Sequence, residues 1–196
     1  MVTRAVVPKG KIFIISGPSG SGKTTLYKKL LASPRLKGRL VKTVSVTTRS
    51  MRPGEKNGRD YFFVSPKMFF YKRKVGHFLE SMRVFYNYYG TPSKQVRDLL
   101  RAGKNVLLCI DVQGARVVRR EFPQSINIFI KTSSIKELEK RLKGRGSEDM
   151  SVIRMRMKTA RHELKEARHY DHVIMNDRLP TAYSNLERII RSSITS

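Results

Sequence analysis

Eight residues constrain this chain more than any others. Gly17-Pro-Ser-Gly-Ser-Gly22-Lys23-Thr24 follows the apolar run Lys11–Ser16 and precedes a segment with apolar residues at Leu26, Leu30 and Leu31. A strand, a turn with G-x-x-x-x-G-K-[ST] spacing and a helix together make a phosphate cradle. The glycines permit a tight turn that aims backbone N–H groups inward, and the helix adds its positive N-terminal end. In this pattern the lysine, here Lys23, reaches β- and γ-phosphates, and the hydroxyl of Thr24 holds Mg²⁺. The predicted ligand is a nucleoside triphosphate.

The rest of the chain alternates in the same way. Helices are predicted at Lys23–Leu31, Pro92–Leu100, from Ser134 through Leu142, Val152–Tyr170 and Pro180–Ile190. Strands are predicted at Lys11–Ser16, Leu40–Thr47, Asn105–Asp111, Ile126–Ile130 and His172–Met175. Ser134 with Glu137 three residues on is a capping box. Strand–helix alternation over this length predicts an α/β fold with a mostly parallel sheet. The aromatic, basic segment from about Ser45 to Thr91 interrupts it and reads as an inserted lobe, mixed over Ser65–Phe78. The apolar strand ending at Asp111 has the form of the Mg²⁺-supporting acid of phosphate-loop enzymes, and alternation places Cys109 and Asp111 on one face; the other reading of Asp111 is a helix cap or turn residue after the strand.

Composition narrows the classes. The chain has 196 residues, 39 % hydrophobic, enough for one core-bearing domain. One cysteine, Cys109, excludes an intramolecular disulfide and a cysteine-based zinc site, and the four histidines read as surface residues. No apolar run approaches the ~20 residues of a membrane span, and Ile12–Ile15 is too short for a signal-peptide core, so a cytoplasmic location is expected. Forty-one cations against 15 acids give +26, and the first 54 residues hold no acid. Such a field favours anionic partners without choosing among nucleotide, nucleic acid and lipid.

The segment Ser45-Val-Thr-Thr-Arg49-Ser-Met-Arg52-Pro-Gly-Glu55-Lys-Asn-Gly-Arg-Asp60-Tyr61-Phe-Phe resembles the signature of the guanylate kinases. So do Gly76-His-Phe-Leu-Glu80 and Asn87-Tyr-Tyr89-Gly-Thr91. Ile110-Asp111-Val-Gln-Gly114-Ala, Arg141-Leu-Lys-Gly-Arg145-Gly-Ser-Glu148 and Val173-Ile-Met-Asn176-Asp177 continue in order. The resemblance runs from about residue 10 to 192. It implies a P-loop NTPase-type parallel sheet flanked by helices, with an inserted mixed α/β GMP-binding lobe and a helical lid. Within a single domain 1–196, the core is then 1–42, 92–133 and 158–196, the lobe 43–91 and the lid 134–157. The implied activity is ATP-dependent phosphorylation of GMP, and of dGMP, to the diphosphate by direct in-line transfer in purine nucleotide metabolism, with Mg²⁺.

Guanine presents two adjacent donors, N1–H and the 2-amino group, which one carboxylate accepts together, as Glu80 could. Ser45 or Thr91 can serve the O6 or N7 acceptors, and Arg49, Arg52, Tyr61 and Tyr89 supply donors for a monophosphate. The resemblance implies the same roles, and adds Glu55 to the GMP side as a partner that orients the arginines. On the ATP side it implies Gly17, Pro18, Ser19, Gly20, Ser21, Gly22, Lys23, Thr24, Thr25 and, near the adenine, Asn176. Lys23, Arg49 and the lid arginines Arg141, Arg145 and Arg156 are the implied catalytic cations. Thr24 and Asp111, the latter through water, are the implied metal contacts.

Three departures from the family pattern stand out. Cys109 replaces an acid usual two residues before Asp111, and a thiol holds hydrated Mg²⁺ less well. Thr132-Ser133 replaces a proline pair. Tyr71-Lys-Arg-Lys74 and the total charge are unusually basic. Other readings are a catalytically weak interaction module on the same scaffold, or a nucleic-acid-binding module. Intact Lys23 and Thr24 weigh against the first. No RNP, zinc-finger or KH pattern accompanies the second. Oligomeric state is not legible.

Overall fold

The computed structural model describes residues 10–144 and 150–195. The chain divides into two compact units. The first contains Gly38–Leu108, Arg116–Ser125 and the described residues up to Ile12; the second contains Phe13–Lys37, Cys109–Ala115 and the described residues from Ile126 onward.

The second unit is organised by β1 (Ile12–Ser16), whose five residues are all buried. A strand covered on both faces must be apolar throughout rather than alternating, and Ile12-Phe13-Ile14-Ile15 meets that demand. β1 pairs in parallel with β8 (Ile126–Lys131), Phe13 opposite Ile126 and Ser16 opposite Phe129. β8 pairs in parallel with β9 (His172–Met175). Around these strands lie α1 (Lys23–Leu31), α5 (Ile135–Lys143), α6 (Met150–Lys165) and α7 (Leu179–Thr195). The predicted capping box at α5 is half present as a cap: Ser134 accepts a hydrogen bond from the Glu137 N–H at 3.1 Å.

In the first unit, β2 (Leu40–Lys42) runs parallel to β7 (Asn105–Cys109). In this unit the Val106 N–H donates to Lys11 O, and in the second the Ile110 N–H donates to Ile15 O. The pairs β2–β7, β1–β8 and β8–β9 are all parallel. This is the α/β class with a parallel sheet that the strand–helix alternation predicts.

The inserted segment forms a separate four-stranded sheet, β4-β3-β6-β5. Its strands are β3 (Val46–Thr47), β4 (Phe62–Phe63), β5 (Phe78–Val84) and β6 (Asn87–Pro92). The mixed stretch Ser65–Phe78 resolves into α2 (Pro66–Lys74) and the entry to β5. α2 is capped by Ser65 and buries Phe69. α3 (Ser93–Arg101) follows directly on β6.

Three expectations need correction. The run Leu40–Thr47 is not one strand: β2 ends at Lys42 and β3 begins at Val46 in the other sheet. β7 ends at Cys109, so Asp111 is past the strand, at the start of α4 (Val112–Glu121), a helix the sequence reading did not find. The long basic helix is shorter than predicted at its end, giving way at Glu166 to a 3₁₀ turn through His169. No helix among the described residues is long and apolar enough to cross a membrane.

Candidate active site

The glycine-rich loop has the backbone its composition requires. Gly17 and Gly22 have φ of +139° and +89°, in the region L side chains avoid. Space forbids a side chain as well: a Cβ on Gly17 would stand 2.0 Å from Ile130 O, and one on Gly22 would stand 2.2 Å from Asn176 Nδ2. Gly22 is the residue before α1, so the turn delivers the chain directly into the helix. Lys23 folds back over the loop, its Nζ donating to Gly17 O at 2.6 Å and Pro18 O at 2.9 Å. Thr24 and Thr25 are exposed in the first turn of α1.

Several side chains tie this loop down. Asn176 is buried and donates through Nδ2 to Ser21 O at 2.8 Å. Arg141 of α5 donates to Asn176 O at 2.7 Å and pairs with Glu137 at 2.7 Å. Arg156 of α6 donates to Ser19 Oγ at 3.0 Å. Two of the three expected lid arginines are thus brought to the loop or its support; Arg145 lies outside the described residues. The Asp111 Oδ1 accepts from the Gln113 and Gly114 N–H groups at 2.7 and 2.9 Å and so caps α4. Its Oδ2 has no hydrogen-bond donor among the described residues. Burial pushes the Asp111 carboxyl up, against the pull of those N–H groups and of Lys23.

These groups suit Mg²⁺ held largely by its substrate. Among the described residues no three His, Cys, Asp or Glu side chains gather closely enough to hold a metal alone. Mg²⁺ keeps several waters and is commonly held by one or two carboxylates plus phosphates. The exposed Thr24 hydroxyl and the open oxygen of Asp111 are the oxygen donors such an ion accepts.

In the first unit the predicted acceptor residues form two connected groups. Arg49 makes a forked pair with Glu55, 2.7 and 3.0 Å, and Glu55 also accepts from the Arg52 N–H at 2.9 Å. Burial pushes the Glu55 carboxyl up, but the hydrogen bonds from Arg49 and the Arg52 N–H prevail and hold it below its ordinary value. The Arg49 guanidinium lies 5.5 Å from the centre of the Tyr61 ring, and Tyr61 meets Tyr89 edge-on at 5.9 Å. Arg52 itself is exposed. In the second group Glu80 is 6 % exposed and its Oε1 accepts from Thr91 Oγ1 at 2.6 Å. β5 and β6 pair with Glu80 opposite Thr91, next to a register shift after Phe78. Ser45 is half-buried just before β3, where Thr47 pairs with Tyr89.

The guanylate kinase family model matches residues 9–193. A guanylate kinase of Lactiplantibacillus plantarum is 44 % identical over 184 residues, 94 % of this chain and 88 % of the relative. One of Chromohalobacter salexigens is 45 % identical over 187 residues, 95 % of this chain and 86 % of the relative. The crystal structure of guanylate kinase from Anaplasma phagocytophilum superposes with a TM-score of 0.79 at 34 % identity, covering 95 % of this chain and 87 % of that one. The chain belongs to the guanylate kinase family.

One residue of this family member escaped the sequence reading. Glu163 sits on α6 within electrostatic reach of Lys23 and Asp111; burial pushes its carboxyl up to about 7, Lys23 opposing and Asp111 reinforcing. A signal was available. Glu163 is seven residues after Arg156, hence on the same helix face, and it is an acid in a chain with only 15.

Proposed function

We propose that the chain transfers the γ-phosphoryl group of MgATP to GMP, and to dGMP, by direct in-line displacement. The observation that carries this reading is Glu80, a buried carboxylate oriented by Thr91 in a lobe that also holds a forked Arg49–Glu55 pair. A carboxylate so held accepts both guanine donors, and adenine lacks that pair. Arg49, with Arg52, Tyr61 and Tyr89, binds the monophosphate; Ser45 and Thr91 serve the base acceptors. Glu55 holds Arg49 in register.

On the donor side, loop N–H groups and Lys23 bind the triphosphate, Lys23 exchanging its two carbonyl partners for phosphate oxygens. Asn176 supports the loop beside the adenine. Arg141, Arg145 and Arg156 balance the charge that spreads over the transferring group. Thr24 and Asp111 would hold Mg²⁺, which would supply positive charge to neutralise the phosphates. The acceptor is already an anion, so no general base is required. Lobe 43–91 and lid 134–157 are the parts proposed to close and exclude water.

The test is a coupled ADP-release assay with MgATP and GMP, dGMP, AMP, CMP or UMP, with Lys23→Ala as control. The reading expects turnover confined to GMP and dGMP and a loss of at least about a hundredfold in the control. Equal turnover of AMP, or a fully active Lys23→Ala, overturns it.

A further inference from the structure

The four-stranded sheet has two faces with different chemistry. Tyr89 and Thr91 of β6 face the proposed acceptor residues Tyr61 and Glu80. Tyr88 alternates to the other face. There it meets Phe69 and Phe70 of α2, at 5.7 and 4.8 Å between ring centres. α2 therefore covers the face turned away from the proposed acceptor side chains.

α2 uses little of itself to do so. Phe69 is its buried residue. Met68, Tyr71 and Val75, spaced i, i+3 and i+7, fall on one exposed stripe, with Tyr71 63 % exposed. Lys67 and Lys74 flank that stripe, and Arg73 is also exposed. No acid occurs between Asp60 and Glu80. The β5–β6 hairpin ends in the two residues Phe85 and Tyr86, between Val84 and its partner Asn87. Phe85 has φ +56°, where such turns favour Asn or Gly. Tyr86 is left 71 % exposed, next to exposed Arg83.

We infer that the outer face of α2, with the adjoining hairpin tip, binds single-stranded nucleic acid, Tyr71 and Tyr86 stacking on bases while Lys67, Arg73, Lys74 and Arg83 follow the phosphates. The occupant is chosen by charge and by pattern. A chain of +26 with exposed aromatics interleaved among cations matches a polyanion with flat faces. A membrane surface fits less well. Interfacial helices segregate a broad apolar face from their charges, whereas α2 has nine residues and its one fully buried aromatic is spent on the sheet. This second activity is independent of the proposed phosphoryl transfer, and none of its residues serves there.

The experiment is fluorescence anisotropy of a labelled mixed-sequence 12-nucleotide RNA with the full chain, in saturating GMP and ADP so that the nucleotide sites are filled. Binding is expected, with a log–log salt slope of about −3 from four phosphate contacts. Tyr71→Ala should weaken it roughly tenfold while Tyr71→Phe retains it. Lys67→Glu with Lys74→Glu should weaken it further and flatten the slope. Arg188→Glu with Arg191→Glu on α7, an equal charge change elsewhere, should weaken it much less. Kinase turnover should be unchanged in Tyr71→Ala. Several results overturn the inference: no binding, binding lost on adding GMP and ADP, equal loss from both charge reversals, or no effect of Tyr71→Ala. Tighter binding to the same RNA as a duplex, or Tyr71-dependent binding to phosphatidylserine vesicles in its place, overturns it too. Should Tyr71→Ala fail to fold by circular dichroism, Tyr86→Ala is expected to give the same loss.

Discussion

Around Gly17–Thr24 the groups that would meet a nucleotide are backbone N–H groups, set by the φ values of glycines, by the Ile130 carbonyl 2.0 Å from where a Gly17 Cβ would stand and by the Asn176 amide 2.2 Å from a Gly22 Cβ. Around Arg49–Thr91 they are side chains, and what holds them is other side chains: Glu55 on Arg49, Thr91 on Glu80, Tyr89 on Tyr61. The donor region follows directly on β1, a strand buried end to end. The acceptor region rests on strands as short as two residues. A region fixed by backbone should fail when a single carbon is added. A region fixed by mutual pairing should fail when a charge is removed at constant shape.

Gly22→Ala is the severest way to probe that contrast. It forces a side chain into φ +89° and against Asn176 Nδ2. Misplacement of the loop by about 1 Å and loss of donor geometry are expected to lower kcat/KM roughly a thousandfold. The first unit should be untouched, so GMP binding measured by calorimetry should persist. A Gly22→Ala protein that turns over normally would show that the loop is set by something other than its glycines.

Glu80→Gln probes the other region at nearly constant volume. The amide presents one acceptor where the carboxylate presents two, and it adds a donor facing the guanine donors. A loss of roughly a hundredfold in kcat/KM for GMP, about 3 kcal/mol, is expected, with little change for AMP. Equal losses for GMP and AMP would remove Glu80 from base recognition.

How far each region was legible follows from the same contrast. Glycine at fixed spacing is a local signal, so Gly17–Thr24 and α1 read correctly from sequence alone. The acceptor side chains come from β3, the loop through Glu55, β5 and β6, and only the family pattern joins them. Leu40–Thr47 misled because its β-branched run carries no glycine or proline where the chain leaves one sheet for another. The β5–β6 hairpin was invisible because Phe85-Tyr86 stands where turn chemistry predicts Asn-Gly. Asp111 lies past β7, and its capping of α4 depends on a helix with only two fully buried apolar positions, Ala115 and Val118, too few to mark it in the sequence.

Glu163 tests the donor region by pH. In the unfolded chain this carboxyl titrates near 4.5, and in the folded protein near 7. The folded state therefore binds the proton more tightly. The stability it contributes is full below about pH 4.5 and is lost as pH rises through about 7, by up to about 3 kcal/mol. Glu163→Gln should remove that slope, so denaturant unfolding of nucleotide- and metal-free protein should show the variant gaining on the parent between pH 5 and pH 8. Parallel profiles would mean that Glu163 is hydrated rather than buried beside Lys23 and Asp111.

Glu55→Gln is the mildest of these changes, and it separates the two groups within the acceptor region. The forked pair with Arg49 and the bond from the Arg52 N–H make Glu55 a staple across residues 49 to 55. The amide keeps one acceptor for Arg49 and loses the charge that holds the fork, a change of about 1–2 kcal/mol. On the proposed reading, in which Arg49 addresses the phosphate and not the base, KM should rise about tenfold for GMP and dGMP alike, with the preference for guanine over adenine unchanged. Glu80→Gln should do the reverse, altering preference among bases. If Glu55→Gln instead erodes base preference, then Glu55 and Glu80 act as one unit, and the acceptor region is as tightly coupled as the loop it was contrasted with.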